Sequence, residues 1–205
     1  MTPNQYVALG PTGSAALVLE GQTIHSFAGI GIPRTRDDFE KTLKQKAKWK
    51  ALKVLVLDEA SMVSAEFFDY LSEVVSRIRG DPRPFGGIQL IVCGDFLQLS
   101  PIPPRKADVD EMMELADSME DLFLNRGFLF QAHGWRAANF CVVDLQQVFR
   151  QNNREFVQVL DQIRRGQITP SGSDFLKRKC RRPLPPNEFG VRPTILHSKN
   201  VNVAR

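Results

Sequence analysis

The chain predicts an α/β protein built on a doubly wound, mostly parallel sheet, and three observations carry that prediction. Two apolar runs, one within Leu55–Met62 (LVLDEASM) and one within Gly87–Pro101 (GIQLIVCGDFLQLSP), have the length and β-branched content of strands buried on both faces. Each run ends in polar residues, at the carboxyl edge where such a sheet places its ligands. Segments with helical spacing alternate with the strands, as crossover helices over a parallel sheet do.

Each element has its own local reason. Tyr6–Leu9 reads as a strand and Ser14–Leu19 as the helix after it. Thr23–Ala28 is one short helical turn that Thr23 is placed to cap. Asp37–Lys48 reads as an exposed charged helix, and Lys53–Leu57 as the next strand. From Ser64 to Ile78 the residues Phe67, Leu71, Val74, Val75 and Ile78 repeat at helical spacing, which buries one face. Asp81–Gly87 is a Pro and Gly loop that cannot continue that helix, and it feeds the Ile88–Cys93 strand. Pro101, Pro103 and Pro104 then enforce an extended exit. Between Asp108 and Asp121 stand seven acidic residues and no basic one, with Val109, Met112, Met113 and Ala116 at helical spacing. A short amphipathic acidic helix is expected there, on the outer surface or against a protein partner. Phe140–Leu145 reads as a strand, Glu155–Arg164 as a helix and Thr194–His197 as a last strand.

Composition bounds the function. A chain of 205 residues with 42% hydrophobic content holds one large or two small domains with a sizeable core. No apolar run approaches the ~20 residues needed to span a bilayer. Cys93, Cys141 and Cys180 lack paired spacing and suit reduced thiols in an intracellular protein. His25, His133 and His197 are too dispersed for a zinc site. The net charge of +4 mildly favours a polyanion, and its distribution says more. Lys41–Lys53 is Lys-rich, and Arg164, Arg165, Lys177, Arg178, Lys179, Arg181 and Arg182 make the last third basic. Such clusters either neutralise backbone phosphates or form solvated faces.

The strand ends carry the chemistry. Asp58 and Glu59 are adjacent at a strand end, so they alternate in direction and need not share a task. In a nucleoside triphosphatase one holds Mg²⁺ and the other orients the attacking water. Gln98, in Gly94-Asp95-Phe96-Leu97-Gln98, offers an amide that can donate to a γ-phosphate and accept from water. The competing reading has the carboxylates capping the next helix and Gln98 idle in a loop.

These residues resemble the Pif-type DNA helicases of superfamily 1, which use ATP to unwind DNA from 5′ toward 3′. The resemblance runs through Gly10–Ala16 (GPTGSAA), Thr23–Gly31 (TIHSFAGIG), the DEASM box, GDFLQL and Val148–Gln151 (VFRQ). Its most specific stretch is Pro84–Gln89 (PFGGIQ), which RecD-type relatives lack. The resemblance implies RecA-like (P-loop NTPase) parallel sheets with flanking helices: an incomplete first motor domain over 1–140 and the beginning of a second over 141–205. It implies ATP and Mg²⁺ as cofactors, with Asp58 at the metal, Glu59 activating water, and Gln98 and Arg150 sensing the γ-phosphate. It places Thr12, Gly13, His25, Ser26 and Phe27 along single-stranded DNA, with Phe27 available to stack on a base. Single-stranded DNA and DNA forks are the implied partners, with family roles in telomere maintenance, DNA repair and recombination. The implied compartment is intracellular: nucleus, mitochondrion or both in a eukaryote, otherwise cytoplasm.

One departure from the family pattern is consequential. No Gly-rich loop ending in Gly-Lys-Ser or Gly-Lys-Thr is present, and Gly10–Ser14 fails both the lysine and the spacing. A truncated chain whose whole form is a helicase is one reading. A nucleic-acid-binding module that has lost the loop is a second, and an inactive structural fragment a third.

Overall fold

The computed structural model describes residues 5–114, 116, 118–180 and 186–191. Contacts divide the chain into two compact units, 1–145 and 146–205. The first is a four-stranded sheet with helices against it. Its strands β1 (Tyr6–Gly10), β2 (Gln22–Thr23), β3 (Val54–Leu57) and β4 (Gln89–Val92) are all parallel, in the order β2-β1-β3-β4. Register aligns Leu9 with Leu57 and Leu57 with Val92, so Gly10, Asp58 and Cys93 leave the sheet side by side.

Helices α1 (Gly13–Val18), α2 (Ile24–Ala28) and α3 (Lys46–Ala51) precede β3, and α4 (Ala65–Arg79) crosses from β3 to β4. Ser64 caps α4 by accepting from the Phe67 N–H at 3.0 Å, and Gly80 ends it in the left-handed region at φ 70°. Along α4 the predicted stripe of Phe67, Leu71, Val74, Val75 and Ile78 is buried, joined by Phe68. Its aromatic end meets Phe39, Tyr70 and Phe123, with Phe39 edge-on to both Phe67 and Phe123 at 5.3 Å. Each such side chain contributes about 1.5–3 kcal/mol by leaving water, so α4 is the main fastening of the sheet.

Between α4 and β4 the Pro-Gly loop tightens into a 3₁₀ turn, Pro84–Gly87, in which Phe85, Gly86 and Gly87 all have positive φ. Phe85 is buried although its backbone is left-handed, and the Ser72 hydroxyl accepts its N–H at 2.9 Å. After β4 come α5 (Lys106–Met113) and α6 (His133–Ala138). Asp69 on α4 accepts the His133 and Gly134 N–H groups that open α6, at 2.9 and 2.7 Å.

Four sequence expectations are corrected. Arg36–Gln45 winds as 3₁₀ turns before α3, and the segment is not simply exposed: Phe39 and Thr42 are buried, as is Trp49 just beyond it in α3. The apolar demand of Phe39 and Trp49 overrides the charged composition around them. The acidic helix stops at Met113, because only Met112 on it finds a buried seat. Phe140–Leu145 is irregular, with Val142 79% and Val143 76% exposed. Its β-branched residues prefer a pleated, half-buried surface, and no neighbouring strand provides one among the described residues. Phe27, which the resemblance places along DNA as a residue available to stack, is only 6% exposed and lies edge-on to Trp49 at 4.9 Å, in the core.

The second unit shows α7 (Arg154–Arg164) and α8 (Pro170–Cys180). Asn153 caps α7 through the Phe156 N–H at 3.0 Å, and Phe156 stacks on Phe175. The expected Thr194–His197 strand lies outside the described residues.

Candidate nucleotide and nucleic-acid site

Beyond the ladder, hydrogen bonds continue across the carboxyl edge. Asp58 donates its N–H to the Leu9 carbonyl at 3.0 Å, Cys93 to Leu57 at 2.8 Å, and Ala60 to Cys93 at 3.0 Å. The last bond ties the DEASM segment to the GDFLQL segment. A Cβ on Gly94 would stand 2.8 Å from the Ala60 nitrogen, so glycine is what lets the two segments touch. The carboxylate pair and the glutamine turn therefore occupy one edge, as the sequence predicts.

Glu59 sits in the left-handed region at φ 50°, ψ 42°, a conformation that costs a non-glycine residue on the order of 1–2 kcal/mol. The Asp58 carboxylate accepts the Glu59 N–H at 2.9 Å and helps hold that turn. Asp58 also reaches the β4 exit electrostatically: burial, and then this carboxylate, push the Cys93 thiol up from its usual range. The next turn is organised by Asp95, which accepts from the Leu97 N–H at 3.0 Å and from the Gln98 amide Nε2 at 3.1 Å. Gln98 is exposed with its amide held on Asp95, a contact that an incoming phosphate or water can exchange. Among the described residues no three His, Cys, Asp or Glu side chains converge as a metal cage. One carboxylate at a strand end nevertheless suits Mg²⁺, which is commonly held by one or two carboxylates with water and substrate phosphates.

Beside this edge, Thr12 caps α1 by accepting the Ala15 N–H at 3.2 Å, and Thr23 caps α2 through the Ser26 N–H at 3.1 Å. Gly13 and Ser26 are exposed. Thr12 and His25 share a cavity of about 470 Å³ whose walls include Ile24, Met62, Phe67, Ile102, Met112 and Phe123. The His25 ring lies 4.7 Å from that of Phe67, and burial pushes its pKa below 6.5. Below that pH the unfolded chain binds more protons than the folded one, so stability rises with pH through the window just under 6.5. Acidifying from pH 7.5 to 5.5 is expected to lower Tm, and His25→Gln to flatten that dependence. Thermal melts at several pH values check this, and equal slopes in both proteins would refute it.

Arg150, the expected γ-phosphate sensor, is exposed and belongs to the second unit. Two features escaped the sequence reading. The cavity joins residues from six separate stretches, a convergence that no local pattern announces. Arg79 is the other: in sequence it is an ordinary cation at a helix end, whereas in space its guanidinium meets four backbone carbonyls.

Strand order, the joined carboxyl edge and the crossover helix describe a RecA-like motor sheet. The family model for PIF1-like helicases matches residues 2–174. The ATP-dependent DNA helicase PIF1 of Emericella nidulans is 36% identical over 99% of this chain and 26% of its own length. The PIF1 of Saccharomyces cerevisiae is 36% identical over 95% of this chain and 21% of its own. Among solved structures, Pif1 helicase from Candida albicans superposes with a TM-score of 0.81 at 30% identity, over 98% of this chain and 43% of that one. A Bacteroides Pif1 in complex with ADP-AlF3 and single-stranded DNA gives 0.68 at 29% identity, over 90% and 42%. The chain belongs to the PIF1-like helicase family. It spans about a quarter of the length of the curated relatives it matches.

Proposed function

We propose that the chain is the motor part of an ATP-dependent, 5′-to-3′ DNA helicase, with Mg²⁺ as the nucleotide's counter-ion and roles in telomere maintenance, DNA repair and recombination. The observation that carries this reading is the bond from Ala60 N–H to the Cys93 carbonyl, which sets Asp58 and Glu59 beside the GDFLQL turn. The Bacteroides relative bound to ADP-AlF3 and single-stranded DNA supports it from outside.

Under this reading Asp58 holds the metal, which supplies neutralisation of phosphate charge when bound. Glu59 takes the proton of the attacking water, and Gln98 leaves Asp95 to meet the γ-phosphate. Arg150 adds a planar, permanently charged fork suited to the same phosphate. Residues 1–140 act as the first motor domain and 141–205 as the start of the second. The Thr12 hydroxyl, Gly13, His25 and Ser26 contact the sugar-phosphate strand; Phe27 keeps a core role instead.

DNA-stimulated ATP hydrolysis tests the proposal, measured on this chain alone and fused behind a Gly-Lys-Ser phosphate-loop segment. Activity in the fusion and little in the chain alone is expected, since that loop makes many of the phosphate contacts. A folded fusion that binds DNA without hydrolysing ATP would sink the enzymatic assignment.

A further inference from the structure

The cavity that holds Thr12 and His25 has an acidic wall. Asp108, Glu111 and Met112 of α5 line it together with Arg34. Arg34 Nη1 donates to Glu111 Oε1 at 2.8 Å, with the two side chains 48% and 60% exposed. We propose that Arg34 is a phosphate-binding residue of the DNA path, and that α5 is a displaceable strap whose Glu111 occupies its guanidinium in place of a strand phosphate. The inference rests on the reading above, in which Thr12 and His25 face DNA.

The two partners of that ion pair are held very differently. Arg34 is pinned through its backbone: its N–H donates to Asp38 Oδ2 at 2.7 Å, and its carbonyl accepts the Phe123 N–H at 2.9 Å. Phe123 is buried in the main core, so the guanidinium is presented from a fixed position. Helix α5, by contrast, buries Met112 alone. Among the described residues its ion pair across the cavity is the half-exposed one to Arg34, a kind of contact that salt screens and that contributes little, and the same guanidinium also acts electrostatically on Asp108. A fixed receptor and a lightly held occupant make an exchangeable contact.

Charge then decides what exchanges. The segment from Asp108 to Asp121 has seven acidic residues and no basic one. Of these, Asp108 and Glu111 line the cavity with Thr12 and His25, and a strand phosphate entering it would be repelled by their carboxylates, as charges within about one Debye length, ~10 Å, are. A guanidinium fork matches carboxylate and phosphate oxygens in the same geometry, so Glu111 and a phosphate are alternatives for Arg34. DNA entry and α5 displacement are therefore coupled, and the coupling lowers the apparent DNA affinity of the strapped protein.

Fluorescence anisotropy of a labelled oligo(dT) strand, titrated with the 205-residue chain at low salt, tests this. Glu111→Gln is expected to tighten binding at least ~3-fold, whereas Asp37→Asn, the same charge change outside the cavity, changes it far less. In an Arg34→Gln background, which itself binds more weakly, Glu111→Gln should lose its effect. Tightening equal to that of Asp37→Asn, or tightening that persists without Arg34, overturns the strap. Thr12→Ala separates the two levels. If it weakens binding while Glu111→Gln does nothing, the DNA path stands and the strap fails; if no variant binds DNA at all, both fall.

Discussion

Glu59→Gln is expected to lower DNA-stimulated ATP turnover by about 10²–10⁴-fold, in a form of the protein carrying a phosphate-binding loop, while DNA affinity stays within a factor of about two. The amide keeps the size and the hydrogen-bonding reach of the carboxylate but cannot accept the proton of the attacking water. The backbone strengthens the case that Glu59 is present for chemistry. A non-glycine residue at φ 50° is held against its preference, and such strain persists where the surroundings over-determine it, commonly at active sites. Here the surroundings are the Asp58 carboxylate on the Glu59 N–H and the Ala60 bond to Cys93. Glu59→Gly should then act in opposite directions on two readouts. It relieves the left-handed strain, stabilising the first unit by about 1 kcal/mol, and removes catalysis. A Glu59→Gly protein that is both less stable and still active would show that neither the strain nor the base has been assigned correctly.

Much of this site was legible in the sequence because its parts are local. Thr23 caps the short turn it was placed to cap, and Ser64, at the head of its apolar stripe, caps α4; Thr12 does the same for α1, which begins one residue before the Ser14 that its pattern indicates. The strand ends could be placed together because parallel crossovers put successive carboxyl ends on one edge. Phe27 shows where that reasoning stops. Its neighbours His25 and Ser26 are partly or fully accessible, and it is core residues distant in sequence, among them Trp49 twenty-two residues away, that cover Phe27. Phe140–Leu145 fails for a related reason: composition proposes a strand, but a strand exists only where another offers its carbonyls and N–H groups. The end of α5 is likewise set by which apolar residue finds a seat, and the charge pattern contains no information about seats.

Arg79→Ala is expected to destabilise the first unit by about 3 kcal/mol, seen as a fall in Tm of roughly 6–12 °C. Arg79 Nη1 donates to the carbonyls of Trp49, Lys50 and Leu52 at 2.7, 3.2 and 3.0 Å, which closes the carboxyl end of α3. Its Nε donates to the Gly86 carbonyl at 2.7 Å, inside the left-handed turn that leads into β4. A Cβ on Gly86 would come within 2.6 Å of the Arg79 Cβ, so the glycine and the arginine are fitted to one another. Leu52 precedes β3 and Gly86 precedes β4, so a single guanidinium ties together the entries of the two strands whose far ends carry Asp58 and Gln98. Lysine retains the charge without the fork and should recover less than half of the loss. Arg77, two residues earlier on the same helix, provides the contrast. Its ion pair with Glu40 joins two half-exposed side chains, so Arg77→Ala should change stability by less than about 1 kcal/mol. If the two alanine variants melt together, the carbonyl cluster is not what holds the turn. If Arg79→Ala melts early as expected, exchange of the amide hydrogens in Gln89–Val92 should quicken first, because β4 loses the anchor that fixes where it enters the sheet.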